Sequence, residues 1–386
     1  MEHPARAWTG HPLWLVGFRP FFPLAALAAA TLPAAWVFIY TGLLSAPTAL
    51  PPLHWHAYEL FFGFGFTVLA GFLLTATKNW THSRGAYGPV LQLLVGAWLV
   101  ERLGLWFSAH LPTALFLGSQ LLFTALLVGV VSRTLVKGRS VDTFRDNPIF
   151  VVVMPLFVAA RVLMLDAGHF ATGRDLTVAL FRVMFVVMLE RTVPQFLKGA
   201  WKVEVPRVAA VDHALKGLAL LLLAGPWLPT LVRQGAAGLL AVLMVGRFAS
   251  WALLKALRRL ELAVMVLGGV ALSVHAVLEA FAVTWLLSGA LHVFTMGTMG
   301  LIIPGMLLRI AKGHTGRPVA FEAIDRFALW LAVVAFVTRV VAVPLWPALL
   351  VPWLWASALA WTVAFGLVFV RITPLLLAER VDGREH

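Results

Sequence analysis

The sequence predicts an all-α protein, a polytopic transmembrane helix bundle of about twelve spans with both termini cytoplasmic. Three observations predict it. Hydrophobic residues fill 61% of the 386 positions and charged residues only 12%, far below the roughly one-quarter charged content of a soluble globular chain. The mean hydropathy is +0.90. Apolar runs long enough to cross a hydrocarbon core of about 30 Å recur along the chain, and the basic residues alternate between them. A soluble fold is excluded.

Taken in order, Arg6 precedes a first span over Leu13–Tyr40, which begins only after Gly10-His11-Pro12. This run lacks the short apolar core and small-residue cleavage site of a secretory signal and reads as a retained span. A second span over Trp55–Thr77 is joined to a third over Pro89–Phe107 by a connection holding Lys78 and Arg84. The fourth, Pro112–Val131, meets the fifth, Pro148–Leu165, across Arg133, Lys137, Arg139 and Arg145. The sixth, Leu176–Pro194, leads through Lys198, Lys202 and Arg207 to a seventh, His213–Val232. The eighth, Gly235–Leu257, and the ninth, Leu262–Leu286, flank Lys255, Arg258 and Arg259. The tenth, Ser288–Ile310, and the eleventh, Phe327–Val343, flank Arg309, Lys312, Arg317 and Arg326. The twelfth, Pro347–Val370, ends before Arg371, Arg380 and Arg384.

Short cytoplasmic loops of membrane proteins are rich in Lys and Arg. With the N-terminus inside, the inside segments carry twenty of the thirty basic residues, and the outside connections hold only Arg174 and Arg233. The net charge of +13 is thereby a topology signal beside anionic lipid, not a nucleic-acid surface. The expected organisation is a single integral membrane domain, 1–386, in a bacterial inner membrane. The chain has no cysteine, which excludes disulfides, Fe–S clusters, thiolate-ligated haem and covalently attached c-type haem.

The orientation sorts the twelve histidines: His3, His11, His82, His213, His314 and His386 fall inside, and His54, His56, His110, His169, His275 and His292 outside. At the start of the second span, His56 and Glu59 are spaced i,i+3 on one helical face beside His54. In the ninth span His275 lies in the outer leaflet with Glu279 one turn further out. In the tenth, His292 lies about one turn deep, with Met296 and Met299 following at i+4 and i+7. Ionisable groups in hydrocarbon cost about 2.5–3.5 kcal/mol each even on lenient scales, so they call for internal partners or a function. His56, His275 and His292 together point to a metal or haem site, because neutral imidazole is the usual haem and copper ligand and a nearby carboxylate can hold its second nitrogen. Met296 suits Cu(I), although methionines on a helix face also serve simply as packing.

On the inner side, Arg19 stands among Phe18, Phe21 and Phe22. It suits a haem propionate or a lipid phosphate, or a snorkelling role with its stem on Phe18. Glu101-Arg102 and Glu190-Arg191 are adjacent pairs that point apart on a helix, so each residue needs a partner on another helix. Arg161, Arg182, Arg247 and Arg339 also fall within or near spans. Gly313-His314-Thr315-Gly316-Arg317-Pro318 has the composition of a phosphate loop without its spacing, and Pro304-Gly305 should kink or open the tenth span.

Several segments resemble the NnrS family of bacterial membrane proteins. They are Pro12-Leu13-Trp14-Leu15-Val16-Gly17-Phe18-Arg19-Pro20-Phe21-Phe22, Trp55-His56-Ala57 with Glu59, Ala70-Gly71-Phe72-Leu73-Leu74-Thr75-Ala76 with Asn79-Trp80-Thr81, Ala290-Leu291-His292, and the Gly313 to Pro318 loop. The resemblance covers most of the chain. It implies haem b, copper as a second candidate cofactor, and nitric oxide as the small-molecule ligand in nitrosative stress and denitrification; it brings no ligand assignment. Tyr58 stands where the family pattern Trp-His-Ala-His-Glu has its second histidine; if that histidine ligates copper or haem in relatives, the departure implies that this chain binds only one cofactor, uses Tyr58 or His54 instead, or has altered chemistry. Thr192-Val193-Pro194-Gln195-Phe196 also departs from the family's Ile-Pro-Met-Phe-Thr-like stretch.

The expected function is a haem protein that binds or turns over nitric oxide, with His56, His275, His292 and Arg19 as cofactor-binding candidates and His54, His56, Tyr58, Glu59, His292 and Met296 as metal candidates. Reduction of nitric oxide would make it an oxidoreductase, for which Glu59, Glu101, Glu190 and Glu279 could relay protons; no soluble domain for an electron donor is present. The rivals are a cofactor-free transporter, favoured by the interrupted tenth span, and a scaffold for denitrification enzymes.

Overall fold

The computed structural model describes residues 10–45, 48–202, 204–206, 208–251, 253–283 and 288–384. His3, Arg6, Arg207 and His386 lie outside the described residues. Helix makes up 81% of the chain, and no strand occurs among the described residues. The long helices are α1 Phe18–Tyr40, α2 Pro52–Trp80, α3 Pro89–Trp106, α4 Thr113–Lys137, α5 Pro148–Leu165, α6 Phe170–Trp201, α7 Ala209–Trp227, α8 Thr230–Ala249, α9 Leu260–Ala280, α10 Gly289–His314, α11 Ala323–Leu345 and α12 Pro347–Leu377.

Each expected span corresponds to one of these helices, but ends shift where local chemistry overrules hydropathy. Pro52 at the first helical position starts α2 three residues early. A reciprocal capping box between Glu322 and Asp325 starts α11 at Ala323. The seventh expected span is cut short: α7 stops at Trp227, and Pro229 caps the new helix α8.

Ten helices among the described residues are long and apolar enough to cross a membrane. The exceptions, α3 and α6, hold the charges Glu101 and Arg102, and Arg182, Glu190 and Arg191. On α3 the usual soluble arrangement is inverted, since Leu93 and Leu103 are 59% and 57% exposed while Glu101 is fully buried. Unpaired carboxylates do not survive in hydrocarbon, so the charges face inward to partners.

The chain divides into two compact units. The first comprises Met1–Phe170, Leu307–Ala320 and Phe365–His386; the second comprises Ala171–Met306 and Phe321–Ala364. In the first, α1 packs on α2 and α4 lies against α2, α3 and α5. In the second, α9 packs between α8 and α10. α6 is tied to its neighbours by two ion pairs, Arg182 with Glu279 of α9 and Glu190 with Arg247 of α8.

Among the described residues three helices contain π-helical stretches, which are rare and concentrate at functional positions. In α2 the stretch Glu59–Gly65 begins directly after Tyr58, and in α10 the stretch Val293–Met299 begins directly after His292. The third, Thr338–Ala342, lies in α11. The wider π turn abolishes the 3.6-residue period on which an alignment of Met299 with His292 depends.

Within the first unit, Arg19 does not snorkel. It is fully buried, and its Nη1 donates to the carbonyls of Leu376 and Ala378 at 2.9 and 2.8 Å, capping the C-terminus of α12. The tail beyond docks on the Gly313 to Pro318 loop: Arg380 donates to the His314 carbonyl at 2.8 Å and Val381 N–H to the Thr315 carbonyl at 3.1 Å. Gly316 has φ +77°, and a Cβ there would sit 2.9 Å from Asp382 Cγ, so both backbone and space demand glycine.

The Arg380 guanidinium, bonded to both Asp382 oxygens at 2.8 and 2.5 Å, holds that carboxyl well below its ordinary range. Because the folded value is depressed, the stabilising effect is present above the ordinary aspartate value and is lost only as pH falls through the lowered one. Limited proteolysis with an acid-active protease should therefore find the tail still protected at about pH 4, near the ordinary aspartate value, and released only in stronger acid; Asp382→Asn should release it at neutral pH.

Candidate functional site

The second unit contains a cavity of about 390 Å³, within the size range of small-molecule and cofactor sites. Its wall includes Arg174 and Arg182 of α6, Arg233 of α8, His275 and Glu279 of α9, and Ser288 at the start of α10. His275 is 8% exposed, its Nδ1 has no hydrogen-bond partner among the described residues, and its ring lies 5.3 Å from that of Phe294. A buried imidazole nitrogen without a donor or acceptor is costly unless something occupies it.

The cationic side of the cavity is only partly neutralised. Arg174 donates to Asp175 at 3.0 and 2.8 Å, and Arg182 pairs with Glu279 through Nη2. Arg182 Nε and Nη1 and Arg233 Nε are buried with no hydrogen-bond partner among the described residues. One turn into α10, His292 Nδ1 lies 2.7 Å from the Ser288 carbonyl. A carbonyl only accepts, so His292 Nδ1 carries a proton and donates this bond.

The first unit holds a different arrangement, a closed polar core. Arg161 of α5 is fully buried and binds Glu101 Oε2 of α3 at 2.7 Å, Thr124 of α4, and the Tyr58 hydroxyl of α2, to which its Nε donates at 2.5 Å. Tyr58 donates in turn to Gln120 Oε1 at 3.2 Å, and Gln120 Nε2 donates to the Glu101 carbonyl at 2.8 Å. Arg102 pairs with Glu59 of α2. Two carboxylates and two guanidiniums thus balance and join four helices. Gly63 makes the room: a Cβ there would strike Glu59 and stand 2.8 Å from Arg102 Nη1.

The family model for the NnrS protein matches residues 12–380 of the 386. The chain belongs to the NnrS family. No curated protein matches it. Membership ties this NnrS chain to the nitric oxide response as a membrane protein.

The histidines expected to act together divide between the units of this NnrS protein: His54 and His56 fall in the first, His275 and His292 in the second. His54 stacks on Phe170 at 3.6 Å, and the His56 ring lies 4.3 Å from Trp36. Met296 is half-buried in the π stretch. Among the described residues no three His, Asp or Glu side chains gather as a metal-binding group. The Tyr58 hydroxyl is engaged by Arg161 and Gln120, and Glu59 Oε2 by Arg102.

Sequence reading singled out His275 and Glu279 but not Arg174 or Arg233 as members of one site. A signal was present, for these are the two basic residues that the charge pattern leaves on the outer side, and both line the cavity.

Proposed function

We propose that this NnrS protein is an inner-membrane haem protein that binds nitric oxide, with His275 as the haem ligand. The observation that carries it is the buried, unpartnered Nδ1 of His275 in the wall of an arginine-lined cavity. The donor set fits haem b: an imidazole for the iron, and Arg182 and Arg233 for the propionate carboxylates. When bound, haem would supply an iron centre with affinity for nitric oxide. His275 would orient the group, Phe294 would pack beside it, and Glu279 would hold Arg182 in place. His292, whose Nδ1 donates to the Ser288 carbonyl, is the second candidate in the same unit; His56 and Arg19 are the candidates in the other.

Copper fits the residues less well, since Tyr58 and Glu59 are held by arginines, and no step is assigned to it. The reading includes twelve crossings with both termini cytoplasmic. Its support is the twenty-to-two distribution of basic residues and the outward leucines and inward charge of α3. The test is a haem and metal analysis of the detergent-purified protein from haem-replete cells. Stoichiometric b-type haem supports the reading; a folded, colourless protein contradicts it and favours a cofactor-free transporter.

A further inference from the structure

Arg174 and Arg233 are the two basic residues that the loop charge pattern leaves on the outer side, where Lys and Arg are generally scarce. They come from different helices, α6 and α8, and meet at one cavity together with Arg182. Three guanidiniums share that wall with two carboxylates, Asp175 and Glu279. Asp175 is taken by Arg174 and Glu279 by one nitrogen of Arg182. This leaves Arg182 Nε and Nη1 and Arg233 Nε buried with no hydrogen-bond partner among the described residues. Arg182 itself is only 2% exposed. A guanidinium cannot shed its charge to relieve such burial, and its planar fork matches the paired oxygens of a carboxylate or another planar oxyanion.

We infer that the cavity is a binding site for a planar oxyanion group, held by Arg182 and Arg233. The group could come from two sources that share this chemistry, a carboxylate of a bound porphyrin or a free small oxyanion. The porphyrin arm rests on the haem reading, which gives Arg182 and Arg233 to the propionates; the free-oxyanion arm stands without it. Glu279 keeps Arg182 aimed across the cavity, and Arg174, neutralised by Asp175, adds no net charge. One excess cation, Arg233, is therefore matched to one anionic charge.

The experiment uses full-length protein in detergent from haem-starved and haem-replete cells, with sodium nitrite as the probe at constant ionic strength and the unfolding midpoint as the readout. In haem-starved protein nitrite should raise the midpoint saturably. Arg233→Gln should raise the half-saturating concentration about tenfold or more, the size of one lost charge-assisted hydrogen bond. Arg182→Lys, which keeps the charge opposite Glu279, should weaken nitrite binding without unfolding the protein. In haem-replete protein, haem loss in Arg233→Gln identifies the group as a porphyrin carboxylate, and unchanged haem content with nitrite binding identifies a free oxyanion. The inference is overturned if nitrite has no saturable effect and Arg233→Gln keeps its haem, or if nitrite binding is unaltered by Arg233→Gln. A wild-type protein that binds nitrite but never haem would sink the haem reading alone.

Discussion

Replacement of His275 by alanine is expected to remove haem from the protein while leaving it folded and inserted. The side chain sits on α9, which packs against both α8 and α10, and its ring contact with Phe294 is one among the many that hold α9. Its Nδ1 makes no hydrogen bond among the described residues that the substitution would break. The cost to folding is that of a buried cavity, roughly 2–4 kcal/mol. The loss of the ligand should instead abolish the Soret band. His314→Ala is the matched control: that ring packs on Phe18 at 5.4 Å in the first unit, so haem content should stay at the wild-type level. Equal haem in both variants would remove His275 from the account, and loss in His314→Ala alone would move the cofactor to the first unit.

The largest effect on stability is expected at Arg161. Arg161→Met leaves Glu101 buried without its partner at 2.7 Å and removes a donor to the Tyr58 hydroxyl. Breaking one side of a buried pair typically costs about 3–5 kcal/mol because the surviving charge stays uncompensated. The variant should be recovered from membranes in low yield with a depressed unfolding midpoint. Adding Glu101→Gln should restore much of the loss, since a neutral pair needs no counter-charge. Tyr58→Phe should cost less, about 1–3 kcal/mol, for the Arg161 Nε left without an acceptor. If Arg161→Met were as stable as the wild type, the polar core would not be what joins α2 to α5.

The fold was largely legible because a bilayer imposes its own arithmetic: an apolar run of sufficient length has few choices but a helix. Pro148–Leu165 was readable to the residue. Hydropathy misplaced ends where a capping or proline effect set them, as at Asp325 and Pro229, and where a helix runs past its apolar stretch, as to Lys137 and Leu377. The candidate site was legible in part. An ionisable residue in a span announces itself, and His275, Glu279 and Arg182 did. Their grouping was hidden because partners on α6, α8 and α9 are far apart in sequence, and helix pairing leaves no local trace. Glu101 and Arg102 take their shortest partners, Arg161 and Glu59, from other helices as adjacent helical residues are expected to, although Arg102 also reaches Glu101 at 3.4 Å; the identity of each partner required the fold. The π turns after Tyr58 and His292 carry no sequence signature and reset the faces that a 3.6-residue period would assign.

Tyr58 shows how a departure from a family pattern can be read physically. Its hydroxyl accepts from Arg161 and donates to Gln120. In this chain the position serves the buried polar core, and its oxygen has little left to offer a metal ion.

The most direct test of the account is a nitric oxide titration of the reduced, detergent-purified protein followed by its visible spectrum, with His275→Ala prepared in parallel. The account predicts a b-type haem band in the wild type that shifts saturably with nitric oxide, and no such band in the variant. A wild-type haem band that nitric oxide leaves unchanged, or a variant whose spectrum and response match the wild type, would contradict it.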